Sequence, residues 1–159
     1  IVGKMQTLIS EGVSVPSDSV KMSTKTLTNN STIGEFKIEF EVEAVEGDFY
    51  IASQASTSSL ATLGGVQYSV DTTSGTPTSL SAILDSTAKE QTDGVYVIRE
   101  GRSETFTLIV TIDASAAGSH RVALEGLLFS SDTNGVTDGT TYNVMPKNKF
   151  RTGYQFINN

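Results

Sequence analysis

Four carboxylates, Glu35, Glu39, Glu41 and Glu43, recur within the stretch GEFKIEFEVEA over residues 34–44. Their even spacing puts them on one side of a strand. Paired carboxylates perform acid–base work on glycosides only where they flank a cleft. On a flat strand, with Lys37 among them, they read as a charged, solvated face that also discourages edge pairing. His120 is the single histidine of the chain. A nucleophilic triad would need it beside an activated serine, and no G-x-S-x-G elbow supplies one. The expectation for His120 is a surface or half-buried residue at the start of a strand. One histidine and no cysteine leave zinc, copper and haem without their usual ligands.

Asp132, Asn134 and Asp138 lie in the loop DTNGVTDG, where oxygen ligands at short intervals could hold Ca²⁺. The spacing is not that of an EF-hand and no bidentate Glu follows, so a plain turn loop is the stronger reading. Ca²⁺ is the one cofactor for which the sequence offers candidates. Asn29-Asn30-Ser31 and Asn30-Ser31-Thr32 match the N-glycosylation pattern, though a turn role for these asparagines is favoured. Tyr68, Tyr96, Tyr142, Tyr154 and Phe49 are scattered across strands and read as core and sheet-surface residues rather than a binding patch. Gly64-Gly65 is no phosphate loop, since neither a Lys-Ser/Thr pair nor a helix follows.

The elements that must position these residues are strands. In 34–44, Phe36, Ile38, Phe40, Val42 and Ala44 alternate with the charged residues, and in ETFTLIVTID (104–113) Phe106, Leu108, Val110 and Ile112 alternate likewise. One apolar and one wet face is the signature of an antiparallel sheet. Val13 and Val15 alternate before Pro16, and Val66, Tyr68 and Val70 and then Leu80, Ala82 and Leu84 repeat the pattern. Glu46-Gly47-Asp48, Asp93-Gly94 and Glu100-Gly101 mark turns. Gly126 suits a bulge before Leu127 and Phe129. A short helix or ordered loop fits 53–65, 85–94 is polar and ends in the hairpin signal Asp93-Gly94, and 150–157 reads as the closing strand. The spacing of turns predicts a sandwich or barrel of about eight or nine strands, with no helical period competing.

At 159 residues the chain is most simply one domain, large enough to bury a core without disulfides. A formal charge of −7 argues against nucleic acid and anionic membrane as partners, because both need a basic footprint. No run approaches the length of a membrane-spanning helix. The absence of Cys and Trp weighs against an antibody-type immunoglobulin domain. The sequence begins at Ile1 and shows no signal-peptide pattern, so it reads as a processed mature form or a piece of a longer protein.

GEFKIEFEVEAVEGDFYI, GGVQYSV, VYVIREGRSETFTLIVTID, HRVALEGLLFSSD and YNVMPKNKFRTGYQFIN occur in that order. Their succession resembles a group of immunoglobulin-like β-sandwich domains in large secreted or surface-anchored bacterial proteins, notably from uncultivated lineages. The resemblance spans about residues 24–157. Its most specific pieces are Arg99-Glu100-Gly101 and Phe150-Arg151-Thr152. It implies an antiparallel immunoglobulin-like sandwich of two sheets, an extracellular or cell-surface location and a structural role, with no enzymatic residues to carry over.

The resulting expectation is a non-catalytic module or repeating subunit of a prokaryotic surface assembly, such as a fibre, S-layer or adhesin stalk. Its partners would be copies of itself or neighbouring domains of the same surface protein. Residues 1–15 are read as an extension or a donated strand, with Ile1, Val2, Met5, Leu8 and Ile9 as candidate contacts. Two other readings use the same architecture: a carbohydrate-binding module, in which glycan is the partner, and a phage or virus decoration or tail domain. An enzyme ranks last, because the polar residues do not converge on a recognisable spacing.

Overall fold

A computed structural model describes residues 12–27, 30–57, 65–92, 94–114, 116–132, 141–146 and 148–157. The fold is an all-β, antiparallel sandwich. Its first layer contains β1 (Gly12–Ser14), β2 (Lys21–Leu27), β3 (Asn30–Val45), β7 (Pro77–Ser86) and β10 (Ser103–Ala114). The order is β1-β3-β10-β7, with β2 also on β3. β1 and β2 lie end to end, because β1 pairs with Glu43 to Val45 and β2 with the earlier part of β3. The second layer contains β5 (Ala55–Ser56), β6 (Gly65–Thr72), β11 (Gly118–Phe129), β12 (Thr141–Val144) and β13 (Gln155–Ile157). Its order is β12-β11-β6-β5, with β13 also on β11. The short β5–β6 pair is parallel. A three-stranded sheet of β4 (Phe49–Ala52), β9 (Val95–Ile98) and β8 (Lys89–Thr92) joins the end of β11. Reciprocal Tyr50 and Ser130 amide bonds of 2.8 and 3.0 Å make that junction.

Period-two burial builds the core. Phe36, Ile38, Phe40, Val42 and Ala44 of β3 and Phe106, Leu108, Val110, Ile112 and Ala114 of β10 are all buried. Val66 and Tyr68 of β6, with Val122, Leu124, Leu127 and Phe129 of β11, belong to the same cluster. The switch from even to odd inward positions in β11 occurs where the register shifts between Leu124 and Gly126. The extra residue, Glu125, rephases the strand, in keeping with the bulge that Gly126 suggests from the sequence.

Among the described residues, thirteen strands in three hydrogen-bonded sheets replace the expected eight or nine in two. The excess is short pieces whose pairing comes from distant chain. Part of 53–65 is β5, and the polar 85–94 contains the end of β7 and all of β8. Only Gln155–Ile157 of the closing segment is strand, preceded by a single bridge from Arg151 to Ala123. Within 1–15, Gly12–Ser14 pair with this chain's own β3 and Val13 is buried.

Two motifs fasten the loops. Arg99 to Arg102 form a turn closed by Arg102 N–H donating to the Arg99 carbonyl at 2.9 Å, and Gly101 supplies its left-handed residue at φ 71°. The Asp48 carboxylate grips this turn. It accepts the Glu100 N–H at 2.8 Å and pairs with the Arg99 guanidinium. The Glu100 amide first, then Arg99, hold the Asp48 carboxyl below the ordinary carboxylate range. In Phe150-Arg151-Thr152, Phe150 is buried, and the Thr152 hydroxyl accepts the Val122 N–H at 3.0 Å while donating to the Gly153 carbonyl.

Candidate functional site

The edge of the first layer at β7 is the feature that sets this surface apart. β7 is ten residues long and, among the described residues, pairs only with β10. The Thr87 N–H donates to the Thr105 carbonyl at 2.9 Å, and the register runs unbroken from Ser86–Phe106 to Ser79–Asp113. An antiparallel ladder alternates its bonding positions. The backbone groups of Ser79, Ser81, Ile83 and Asp85 are therefore turned toward β10. Those of Leu80, Ala82 and Leu84 are turned away from β10, Leu80 exposed and Leu84 buried, with β5 close to the strand. Leu80 is 43% exposed and Ile83 61% exposed on opposite faces of the strand.

Natural sheets blunt their edges with short strands, lysines, prolines or bulges. The other edges described follow that rule. β1, β5 and β13 have three, two and three residues, and β8 and β12 have four each. The edge strand β2 carries Lys21 and Lys25. In β7 the only charge is Asp85 and the only proline, Pro77, is the first residue. A strand with exposed Leu and Ile and outward-facing amides is a template for another strand.

The glutamate ladder lies on the outer face of the same layer. Lys25 meets Glu35 at 3.0 Å and Lys21 meets Glu39 at 3.7 Å, both from β2. An open depression of about 310 Å³ beside it is lined by Asp18, Ser19, Lys21, Glu39 and Glu41, with Phe40 and Thr105 also contributing. Its charges are partly matched, and the carboxylates line an open surface rather than face each other across a cleft.

His120 corrects the expectation of surface or partial exposure: it is wholly buried. It sits on the inward face of β11, where Thr72 Oγ1 lies 2.9 Å from Nδ1 and Nε2 has no hydrogen-bond partner among the described residues. Burial pushes its pKa below the ordinary histidine value. Gly118, two residues earlier, lets the Ser74 carbonyl approach so closely that an added Cβ would lie 1.8 Å from it.

Of the Ca²⁺ candidates, Asp132 is exposed with its N–H donating to Ser130 Oγ, while Asn134 and Asp138 lie outside the described residues. Among the described residues no three His, Cys, Asp or Glu are grouped to hold a metal. Ile1, Val2, Met5, Leu8 and Ile9 also lie outside them, as does Asn29. Tyr68 and Phe49 are core residues, Phe49 packing edge-on to Phe129 at 5.4 Å, and Tyr96 packs edge-on to Phe106 at 5.7 Å. Burial raises the pKa of Tyr68 and, with a smaller contribution from Asp85 and Glu90, that of Tyr96.

Tyr154 differs from the buried Tyr68 and the half-buried Tyr96, being 46% exposed with the Arg121 guanidinium 4.3 Å from its ring centroid. Arg121 Nε donates to Asp71 Oδ2 at 3.0 Å, and Phe156 nearby is 55% exposed. Along the sequence these aromatics stand apart from the charged pair. The pairing of β13 and β6 with β11 brings Tyr154, Arg121 and Asp71 together. Alternation likewise marks β7 as a strand but does not assign it to an edge. No protein-family model matches the chain, and no curated protein matches it.

Proposed function

We propose that this chain is a non-catalytic structural and interaction module, or a repeating subunit, of a prokaryotic extracellular surface assembly. It joins its neighbours by strand pairing at β7. Among the described residues no strand pairs with the outer edge of β7, where Leu80 and Ile83 are exposed, and this observation carries the reading, because an apolar sheet edge is a template for a strand of another chain. The acidic, salt-bridged outer face of the same layer keeps the flat surfaces of neighbours apart and favours contact through edges. The immunoglobulin-like form suggested by the sequence resemblance belongs to this reading, as does the surface location.

Replacing Ala82 with proline tests it. The Ala82 N–H faces the open edge, so Pro removes a donor for a neighbour and none from β10. Sedimentation and electron microscopy of the wild-type protein should show association that the A82P variant lacks. Equal association in both proteins, or a wild-type protein that stays monomeric at high concentration, overturns the proposal.

A second reading, carbohydrate binding, rests on Tyr154 and Phe156. Alternate positions along an extended chain put both on the outer face of the second layer, beside the paired Arg121 and Asp71. Exposed rings next to neutralised hydrogen-bonding groups suit the apolar face and hydroxyls of a neutral sugar. A glycan array without hits, or a hit unaffected by Tyr154→Ala, removes it.

A further inference from the structure

We propose that β13 is an acid-released latch: protonation of His120 detaches Gln155–Ile157 from β11 and opens the seam where the two layers meet. This goes beyond the strand-pairing reading at β7 and does not depend on it. β13 belongs to the second layer by its pairing with Gly118 to His120, and it also touches β2 and β3 of the first layer. Two side chains make that bridge. Ile157 is wholly buried against β3, so close that a Cβ added to Gly34 would lie 2.7 Å from its Cδ1. The Gln155 amide reaches β2, with Nε2 donating to Thr26 Oγ1 at 2.9 Å and Oε1 accepting from Thr24 Oγ1 at 3.1 Å. Thr26 Oγ1 in turn donates to the Phe156 carbonyl at 3.1 Å.

His120 lies beside this bridge, with Thr72 and Gln155 as its register neighbours on the two sides. Along β11 the Ser119 carbonyl accepts from the Thr73 N–H on the β6 side, and the Val122 carbonyl accepts from the Thr152 N–H on the β13 side. Alternation therefore turns the backbone groups of His120 toward Gln155. A neutral imidazole is served by its one contact with Thr72 Oγ1. The imidazolium donates from both nitrogens, and Nε2 has no acceptor among the described residues. The Gln155 amide cannot serve as one while it is engaged with β2.

No countercharge compensates among the described residues. Thr72 and Gln155 are uncharged, and so are the inward residues at this end of the first layer, Gly34 and Phe36 on β3 with Ile112 and Ala114 on β10. The charged groups of the same elements, Asp71, Arg121, Glu35 and Asp113, alternate onto the outer faces. A charged ring here is hydrated only when a flanking strand moves away. β6 has eight residues and β13 three, so β13 is the element that opens first. Water then reaches Nε2, and Gln155 is released from β2. Neutral pH keeps the corner closed, and acid opens it.

Native-state hydrogen exchange across pH and dilute urea tests this. Corrected for the intrinsic effect of pH, opening at the His120, Gln155 and Ile157 amides should rise between pH 7.5 and 5.5 by up to roughly tenfold, the limit for one proton on a group with an exposed pKa of about 6.5. That opening should be nearly independent of dilute urea, as a small local event is, while opening at Leu108 rises steeply. The ring protons of His120 should titrate with a midpoint below 6.5. His120→Gln, or His120→Leu if the glutamine variant does not fold, should abolish the acid dependence at Gln155. A midpoint at or above 6.5, no rise in opening at Gln155, or an acid dependence that survives in the neutral variants overturns the proposal. So does exchange at Gln155 that matches Leu108 in rate and urea dependence, since β13 then leaves only with the whole fold. None of these results bears on association through β7, which A82P reads separately.

Discussion

Proline at neighbouring positions of β7 should have opposite consequences for the stability of the isolated chain. The Ile83 N–H is turned toward the Ile109 carbonyl of β10, by the phase that the Thr87–Thr105 bond fixes. Ile83→Pro deletes that donor and leaves the Ile109 carbonyl without its partner between two strands. Stranding a buried polar group costs about 1–3 kcal/mol, and ring strain in the ladder adds to it, for a total of about 2–4 kcal/mol. The Ala82 N–H faces outward. Ala82→Pro forfeits no bond to β10 and should cost about 1 kcal/mol or less, mainly from the restricted φ. For a chain of this size the difference amounts to a gap of roughly 4–8 °C in melting temperature. The assay is thermal unfolding followed by far-ultraviolet circular dichroism, at a protein concentration below association. Equal losses in the two variants, or a larger loss for Ala82→Pro, would show that the assigned phase of β7 is wrong, and with it the open-edge argument.

Protonation of His120 should destabilise the fold. Its folded pKa lies below the unfolded value of 6.5, so stability is full above pH 6.5 and declines as the pH falls toward the folded pKa. The slope is at most about 1.4 kcal/mol per pH unit for one proton. Urea midpoints from pH 7.5 to 5 should show this dependence in the wild type and a flatter one in His120→Leu; equal slopes refute it. Gly118→Ala should cost about 3 kcal/mol because backbone fills the space. Gly101→Ala should cost only about 1 kcal/mol, since nothing lies near but φ is 71°. Chemical denaturation that ranks them the other way would contradict the geometry. Thr152→Val should lose about 1–3 kcal/mol by orphaning the Val122 N–H, and Thr152→Ser should restore most of it in the same assay.

Local pattern alone determined the strands that make the core. A period of two over Phe36–Ala44 and Phe106–Ile112 admits one structure, because a strand alone separates alternate residues onto opposite faces. Turns at Glu46-Gly47 and Glu100-Gly101 were legible for the same local reason: each needs a left-handed residue, supplied by Glu46 and Gly101. Partners were decided by the tertiary structure. Nothing near Glu35 in sequence announces Lys25 as its ion pair, nor near Asp48 that it grips Arg99 and Glu100. Burial of His120 depends on which face of β11 meets the other layer. The edge position of β7 among the described strands depends on strand order, since Leu80-Ser81-Ala82-Ile83 would read identically in the middle of a sheet. Strand order is set by contacts between distant segments, which no window of neighbouring residues contains.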